Sequence, residues 1–156
     1  MQGEITIRRL NYEDGDAEAV RTLDALVLGR DRSSAWAEYV DRFLSVSRLR
    51  SMTLPSWGSL IAEAGADPAG FLLAERQTLG YGLPTGVRIV AVAVHPEYRR
   101  RCVGRMLVDA LKEECRRNRI PEIFSVLQSG DQRDAEFLAA CDFADAPVRV
   151  LSYKVS

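Results

Sequence analysis

The most constraining feature of this 156-residue chain is a strand–helix–strand segment between Val87 and Leu127. The run VRIVAVAV, residues 87–94, is almost continuous in small and β-branched apolar residues, which favours a central strand covered on both faces. An amphipathic stretch follows from Val103 to the RRNR sequence, and EIFSVL, residues 122–127, is a second apolar run. Because one helix separates the two predicted strands, we expect them to be parallel.

Four arginines crowd the start of the predicted helix: Arg99, Arg100, Arg101 and Arg105. The first helical turn exposes unpaired N–H groups and the positive end of the helix dipole, so each cation there costs about 0.3–1 kcal/mol. A bound phosphate would reverse this effect, because it accepts the free N–H groups and attracts the arginines. Gly104 has no Cβ and permits close approach of the backbone. The sequence therefore predicts a phosphate- or pyrophosphate-binding turn, without the GKS or GKT of a P-loop.

The remaining segments predict short strands and amphipathic helices. EITIRRL predicts a first strand, and DAEAVRTLDALVLG predicts a helix that ends at Gly29. A second helix carries the apolar stripe Trp36, Tyr39, Val40, Phe43 and Leu44. SLIAEA and GFLLAER, separated by the turn residues GADPAG, predict an antiparallel hairpin. Asp131 and Asp134 predict the start of a last helix, and VRVLSYKV, residues 148–155, predicts a closing strand.

The composition limits the class of protein. A chain of 156 residues with 47% apolar residues predicts a single globular domain over residues 1–156. The formal net charge of −1 argues against wholesale binding of nucleic acid. Apolar runs fall short of the roughly 20 residues that span a bilayer, and the N-terminus lacks the apolar core of a signal peptide. Three cysteines without paired spacing argue against a disulfide framework or a zinc site. We therefore expect a soluble cytoplasmic protein.

Residues 92–111, VAVHPEYRRRCVGRMLVDAL, resemble the acyl-CoA-binding core of the GCN5-related N-acetyltransferase (GNAT) superfamily. The family's turn reads Arg/Gln-x-x-Gly-x-Gly/Ala and falls here on Arg99–Gly104, with Cys102 in place of the first glycine. The order of predicted elements is also similar over nearly the whole chain. The resemblance implies an α/β (α+β) fold with a mostly antiparallel central sheet of six or seven strands, a parallel βαβ core and helices on both faces.

The same resemblance implies an acetyl-CoA-dependent N-acetyltransferase that moves the acetyl group directly to a primary amine of a small molecule or a protein. Acetyl-CoA would be the co-substrate, with no metal. Backbone groups of Val92, Ala93 and Val94 would contact the pantetheine arm as a neighbouring strand does. The pyrophosphate turn would comprise Arg99, Arg100, Arg101, Cys102, Val103, Gly104 and Arg105. The arginine side chains would lie near the 3′-phosphate or solvent, and Cys102 is also a candidate reactive thiol.

Acetyl transfer requires a neutral amine, and deprotonating a lysine-like amine near pH 7 costs about 4 kcal/mol. A general base would therefore help, and a backbone N–H of the strand at residues 87–94 can stabilise the oxyanion. Leu138 stands where many family members have a tyrosine acid, and Val126 where a glutamate base is common. Glu63 and Glu75, on the predicted hairpin strands, are candidate bases, although both are better explained as solvated strand carboxylates.

Several aromatic residues and the single histidine are further candidates. Tyr153 is a candidate acid, as are Tyr81 and Tyr98, although Tyr98 is better explained by packing under the turn. His95, the single histidine, is a candidate by residue type but precedes a proline at a strand end. The residues Trp36, Tyr39 and Trp57 are candidates for lining the acceptor pocket, and the first two fit a core stripe equally well.

Two other functions remain open from the sequence. The missing tyrosine is compatible with a non-catalytic acyl-CoA-binding or sensing module. The basic clusters YRRRCVGR and RRNR raise a third hypothesis, a nucleic-acid-binding surface. It is the weakest of the three, because the clusters lie at opposite ends of one helix of about 20 Å and have no aromatic residues between them on which bases could stack. We expect neither a nucleic-acid partner nor a membrane, and a homodimer stays open.

Overall fold

The protein is described by a computed structural model that covers residues 3–29, 33–45, 57–78, 82 and 85–155. The chain forms two compact units, Met1–Val126 and Leu127–Ser156. Tyr81 lies outside the described residues. No helix in the described part of the chain is long and apolar enough to cross a membrane.

The first unit is built on one five-stranded sheet whose strands follow the chain order. The strands are β1 (Ile5–Arg9), β2 (Leu60–Ala64), β3 (Asp67–Thr78), β4 (Thr85–Val94) and β5 (Ile123–Phe124). The first three pairs are antiparallel, whereas β4 and β5 are parallel, as the strand–helix–strand pattern predicts. The described residues hold five strands rather than six or seven, and β5 has two residues rather than the six of EIFSVL.

Four α-helices are described: α1 (Asp16–Leu28), α2 (Ser34–Ser45), α3 (Val103–Arg117) and α4 (Gln132–Ala140). Gly29 ends α1 in the left-handed conformation (φ 76°) and donates its N–H to the Ala25 carbonyl at 2.9 Å, as predicted. The bounds of α3 also agree with the prediction, and its N-terminus comes directly after the arginine turn.

Helices cover both faces of the sheet, as predicted. Residues from α1 and α2 form one core with Ile61, Phe71 and Leu73 of the sheet. On the opposite face, α3 packs against Gly70 of β3. A Cβ added at Gly70 would lie 2.8 Å from the Ala93 carbonyl oxygen and 3.2 Å from Val103 Cγ1, both too close. The absence of a side chain at Gly70 therefore permits the start of α3 to lie close to the sheet.

One β-bulge interrupts the pairing of β3 with β4. Leu73 is paired with Ala91 and Ala74 with Ile89, so Val90 is an extra residue on β4. A bulge of this kind bends a strand and resets the alternation of its side chains. On its other edge, β4 pairs with β5 only at Val87 and Arg88. This short pairing leaves the C-terminal half of β4 without a strand partner on that edge among the described strands.

The second unit contains α4 and an extended tail. Asp131 is the N-cap of α4 and accepts the Asp134 N–H at 3.3 Å, as predicted. The predicted closing strand at residues 148–155 is wrong, because no regular secondary structure forms there. The side chains of Val150, Leu151, Tyr153 and Val155 are 74–88% exposed. An isolated strand has no partner for its backbone groups, and the described part of this unit offers only a helix.

Candidate active site

The chain turns sharply between β4 and α3. Pro96–Tyr98 form a short 3₁₀ turn, which His95 begins by accepting the Glu97 N–H at its Nδ1 atom (3.2 Å). Arg100 and Cys102 then adopt left-handed backbone angles, with φ of 65° and 58°. Each costs about 1–2 kcal/mol for a residue with a side chain, which explains why glycine is usual at the position of Cys102. Strained residues of this kind cluster at ligand-binding sites.

The turn presents a group of unpaired backbone donors. The amides of Arg100 to Gly104 donate to no acceptor among the described residues, and the amide of Met106 donates to the Cys102 carbonyl at 2.9 Å. Cys102 is the N-cap and makes no side-chain capping bond. Left-handed residues ahead of a helix gather N–H groups into anion-binding concavities, and the helix dipole adds to the attraction. The geometry of the turn therefore suits a phosphate or diphosphate.

The arginine side chains of the turn have different roles. Arg101 is held within the protein, because its Nη2 donates to the Gly3 carbonyl at 3.0 Å and its guanidinium carbon lies 5.5 Å from the centre of the Tyr98 ring. Arg99 and Arg100 are exposed. Tyr98 thus packs under the turn. Arg101 keeps one donor, Nη1, that is shielded from solvent and has no acceptor among the described residues, so the backbone amides are not the only open donors of the turn.

The exposed edge of β4 begins just after its pairing with β5. The Ser125 hydroxyl donates to the Ile89 carbonyl at 3.1 Å, and Val90 is the bulged residue. Val92 to Val94 follow, on the edge that has no strand partner in the described part of the sheet. Backbone groups on such an edge are free to pair with an extended ligand as a further strand would.

A second polar group lies on the face of the sheet that α1 and α2 cover. Arg88 of β4 is paired with Glu75 of β3, and its Nη1 donates to Glu75 Oε1 at 3.3 Å. Tyr39 of α2 is stacked between Trp36 and Phe43, with ring centres 5.5 Å apart on each side. Burial raises the pKa of Tyr39, the charge of Glu75 raises it further, and that of Arg88 opposes the shift. The phenol therefore lies within the electrostatic field of the Glu75–Arg88 pair.

The sequence model of the acetyltransferase (GNAT) family matches residues 28–143, about three quarters of the chain. The chain belongs to the GNAT family. The matched region contains the whole of β4, the arginine turn and α3. A comparison with curated proteins finds no significant match in sequence.

Solved structures share this GNAT fold at low sequence identity. Aminoglycoside N-acetyltransferase AAC(6')-Iy, in complex with a bisubstrate analogue of CoA and acetylneamine, is 20% identical with a TM-score of 0.73 over 99% of both chains. AAC(6')-Ih from Acinetobacter baumannii is 16% identical with a TM-score of 0.72, covering 98% of this chain and 99% of its own. Ribosomal-protein-alanine N-acetyltransferase from Brucella melitensis biovar Abortus 2308 is 15% identical with a TM-score of 0.68, covering 98% and 100%.

The two candidate bases of this GNAT protein lie in different surroundings. Glu63 accepts two hydrogen bonds from Arg8, at 2.8 and 3.1 Å. Arg8 also binds both oxygens of Asp16, at 2.7 and 2.9 Å, and the two carboxylates raise the pKa of Arg8. Glu63 therefore belongs to an ion cluster that ties β1 to β2 and to the start of α1. Glu75, in contrast, lies beside Arg88 and Tyr39.

The other predicted site residues are dispersed. Trp57 is buried (8% exposed), which agrees with a core position rather than a pocket wall. Tyr153 is 86% exposed in the tail of the second unit. Cys102 is an exposed thiol, whereas Cys115 is buried and its pKa is raised to about 11, mainly by that burial. Arg88 was not among the candidates, although it is the single charge within VRIVAVAV.

Proposed function

We propose that this protein is an acetyl-CoA-dependent N-acetyltransferase that transfers the acetyl group directly to a primary amine of a small molecule. The observation that carries the proposal is the group of unpaired amides from Arg100 to Gly104 at the N-terminus of α3. These donors would hold the pyrophosphate of the coenzyme, with the exposed Arg99 and Arg100 adding positive charge. The similar aminoglycoside acetyltransferases support a small-molecule amine as acceptor.

The edge of β4 would hold the rest of the coenzyme. Backbone groups of Val92 to Val94 would pair with the amide groups of the pantetheine arm, in the manner of an added strand. This would bring the thioester toward the bulge at Val90, where a β4 backbone N–H would stabilise the oxyanion. The bulge thus gives the strand an irregular backbone at the point where the chemistry needs a donor.

The reaction requires two protons to leave the acceptor nitrogen and one bond to be exchanged. Glu75 would accept the proton of the ammonium group, directly or through one water, to give the neutral amine. The amine nitrogen then attacks the thioester carbonyl carbon, the C–N bond forms and the C–S bond breaks. The coenzyme leaves as a thiolate, and the second proton of the attacking nitrogen passes to this thiolate to give the neutral amide and the free thiol. Since the pKa of that thiol resembles the value of about 8.5 for cysteine, an acid is less critical than the base.

Substitution Gly104→Glu tests the assigned turn, because it places bulk and negative charge against the pyrophosphate. Acetyl-CoA at a hundredfold excess over its dissociation constant should stabilise the wild-type fold by about 2.7 kcal/mol, measured by thermal or urea unfolding. The variant should be folded and lose this shift. Arg116→Glu, at the exposed far end of α3 about 20 Å away, is the control and should keep most of it.

If acetyl-CoA stabilises the Gly104→Glu variant as much as it stabilises the wild-type protein, the assignment of the turn is contradicted. Activity is measured separately, as release of free CoA thiol with a panel of primary amines. Thiol release that depends on the amine supports the enzyme. Tight coenzyme binding without release by any amine would indicate the acyl-CoA-binding or sensing module instead.

A further inference from the structure

Arg88 has few hydrogen-bond partners, and Arg101 of the turn is another arginine with a shielded donor that lacks an acceptor among the described residues. A guanidinium carries five N–H donors, and the described residues supply Arg88 with one acceptor, Glu75 Oε1, at the long distance of 3.3 Å. Its Nε is shielded from solvent and has no acceptor in the described part of the chain. A buried donor without an acceptor is destabilising, so such a group is rarely kept unless something else binds it.

Low exposure does not explain the shortage. The side chain of Arg88 is 34% exposed and that of Arg8 is 37% exposed, so the two are equally accessible. Arg8 nevertheless makes five hydrogen bonds, four of them to the carboxylates of Asp16 and Glu63. This sheet can therefore saturate a half-exposed arginine where the role is structural, and it does not do so at Arg88.

The location of Arg88 connects it to the transfer reaction. It lies on β4 two residues before the bulge at Val90, which corresponds to about 7 Å along a strand. It shares the α1–α2 face of the sheet with Glu75, the candidate base, and with Tyr39. A substrate group bound to Arg88 would therefore lie close to the amine that approaches the thioester. The two groups would belong to one acceptor molecule.

We propose that Arg88 binds a carboxylate of the acceptor, so that the substrate is an amine that also carries a carboxylate close to its nitrogen, with an α-amino acid as the simplest member of the class. This inference rests on the proposed function. The zwitterion matches the pair, because its carboxylate can take the open N–H donors of Arg88 and its ammonium group can approach Glu75. The stack of Trp36, Tyr39 and Phe43 beside the pair suits an apolar side chain. A polycationic acceptor would instead be repelled by Arg88.

Equilibrium binding tests this inference without relying on turnover. Each of the twenty common L-amino acids is titrated by calorimetry into the full-length protein, with and without CoA, beside its decarboxylated amine where one exists. L-Phenylalanine with 2-phenylethylamine and L-lysine with cadaverine are such pairs. We expect at least one amino acid to bind ten or more times as tightly as its amine.

Two variants assign the preference to Arg88. Arg88→Gln should remove the preference and weaken the amino acid about tenfold or more, whereas the decarboxylated amine should change by less than threefold. Arg76→Gln is the matched control, because it removes the arginine that follows Glu75 in β3. The charge of Arg76 acts on Cys115 of α3, which covers the opposite face of the sheet. This variant should keep the preference. In acetyl transfer, Arg88→Gln should raise KM for the amino acid by a larger factor than KM for its decarboxylated amine.

The inference is overturned if every amino acid binds no more tightly than its amine, if neamine binds more tightly than all of them, or if Arg88→Gln keeps the preference. These outcomes are distinct from failure of the proposed function, which is loss of coenzyme binding or of thiol release. The titration without CoA measures the acceptor preference even in that case.

Discussion

The Arg8 cluster and the Arg88 pair are built from the same residue types on one sheet, and they differ in saturation. Arg8 fills its donors with Asp16, Glu63 and the Arg9 carbonyl, at 2.7 to 3.1 Å. Arg88 has one bond of 3.3 Å to Glu75. The two arginines are exposed to a similar extent, so the number of satisfied N–H donors is what distinguishes them. We interpret the saturated Arg8 cluster as structural and the unsaturated Arg88 pair as the one that binds a ligand. The two glutamates differ in the same way, because Glu63 accepts two hydrogen bonds from Arg8 and Glu75 accepts one long hydrogen bond from Arg88.

The largest effect is expected from Arg8→Met. The side chain of Asp16 is 3% exposed, so loss of Arg8 leaves a buried carboxylate with the Asn11 N–H (2.6 Å) as its main remaining donor. Breaking such a cluster should lower the free energy of unfolding by about 3 kcal/mol. Urea denaturation measures it, and a loss below about 1 kcal/mol would break the comparison by showing that saturation at Arg8 contributes little.

The next effect concerns the two glutamates. Glu75→Gln should lower kcat/KM of acetyl transfer about 100-fold, the scale of a lost general base, which is about 2.7 kcal/mol in the transition state. Glu63→Gln, the matched control on the neighbouring strand, should change kcat/KM by less than about threefold among molecules that remain folded. Thiol release at saturating acetyl-CoA measures both. Equal losses in the two variants would remove the distinction between the ion pairs.

The smallest effect is expected from Arg88→Met in the absence of ligands. A partly exposed pair joined by one long bond contributes under about 1 kcal/mol, so the free energy of unfolding should hardly change. The measurement is the same urea denaturation as for Arg8→Met. A larger loss for Arg88→Met than for Arg8→Met would mean that Arg88 is the structural arginine of the two.

Local chemistry made the core of the fold predictable from the sequence. The continuous apolar run of β4, the amphipathic pattern of α3 and the glycine at 29 each specify their element within a few residues. The arginines ahead of α3 identified the turn because cations at a helix N-terminus are unfavourable without an anion. The family resemblance added the expected contacts with the coenzyme, which remain predictions.

The features that the sequence did not reveal depend on residues far apart in the chain. Arg8 meets Glu63 across 55 positions, and nothing in the local pattern of either strand indicates the contact. The bulge at Val90 arises from the register between β3 and β4, so the alternation of apolar residues within β4 gives no sign of it. The tail at residues 148–155 has strand propensity, but a strand also needs a neighbour, which propensity does not supply.

Gly70 makes the position of the arginine turn depend on a residue of another strand. Because α3 rests where β3 has no side chain, any larger residue there would displace the helix outward and carry its amide donors with it. If the turn binds the coenzyme as proposed, substitution of Gly70 should change coenzyme affinity while leaving every residue of the turn untouched. Homologues with a different residue at this place in β3 should hold the first turn of α3 at a different distance from the sheet.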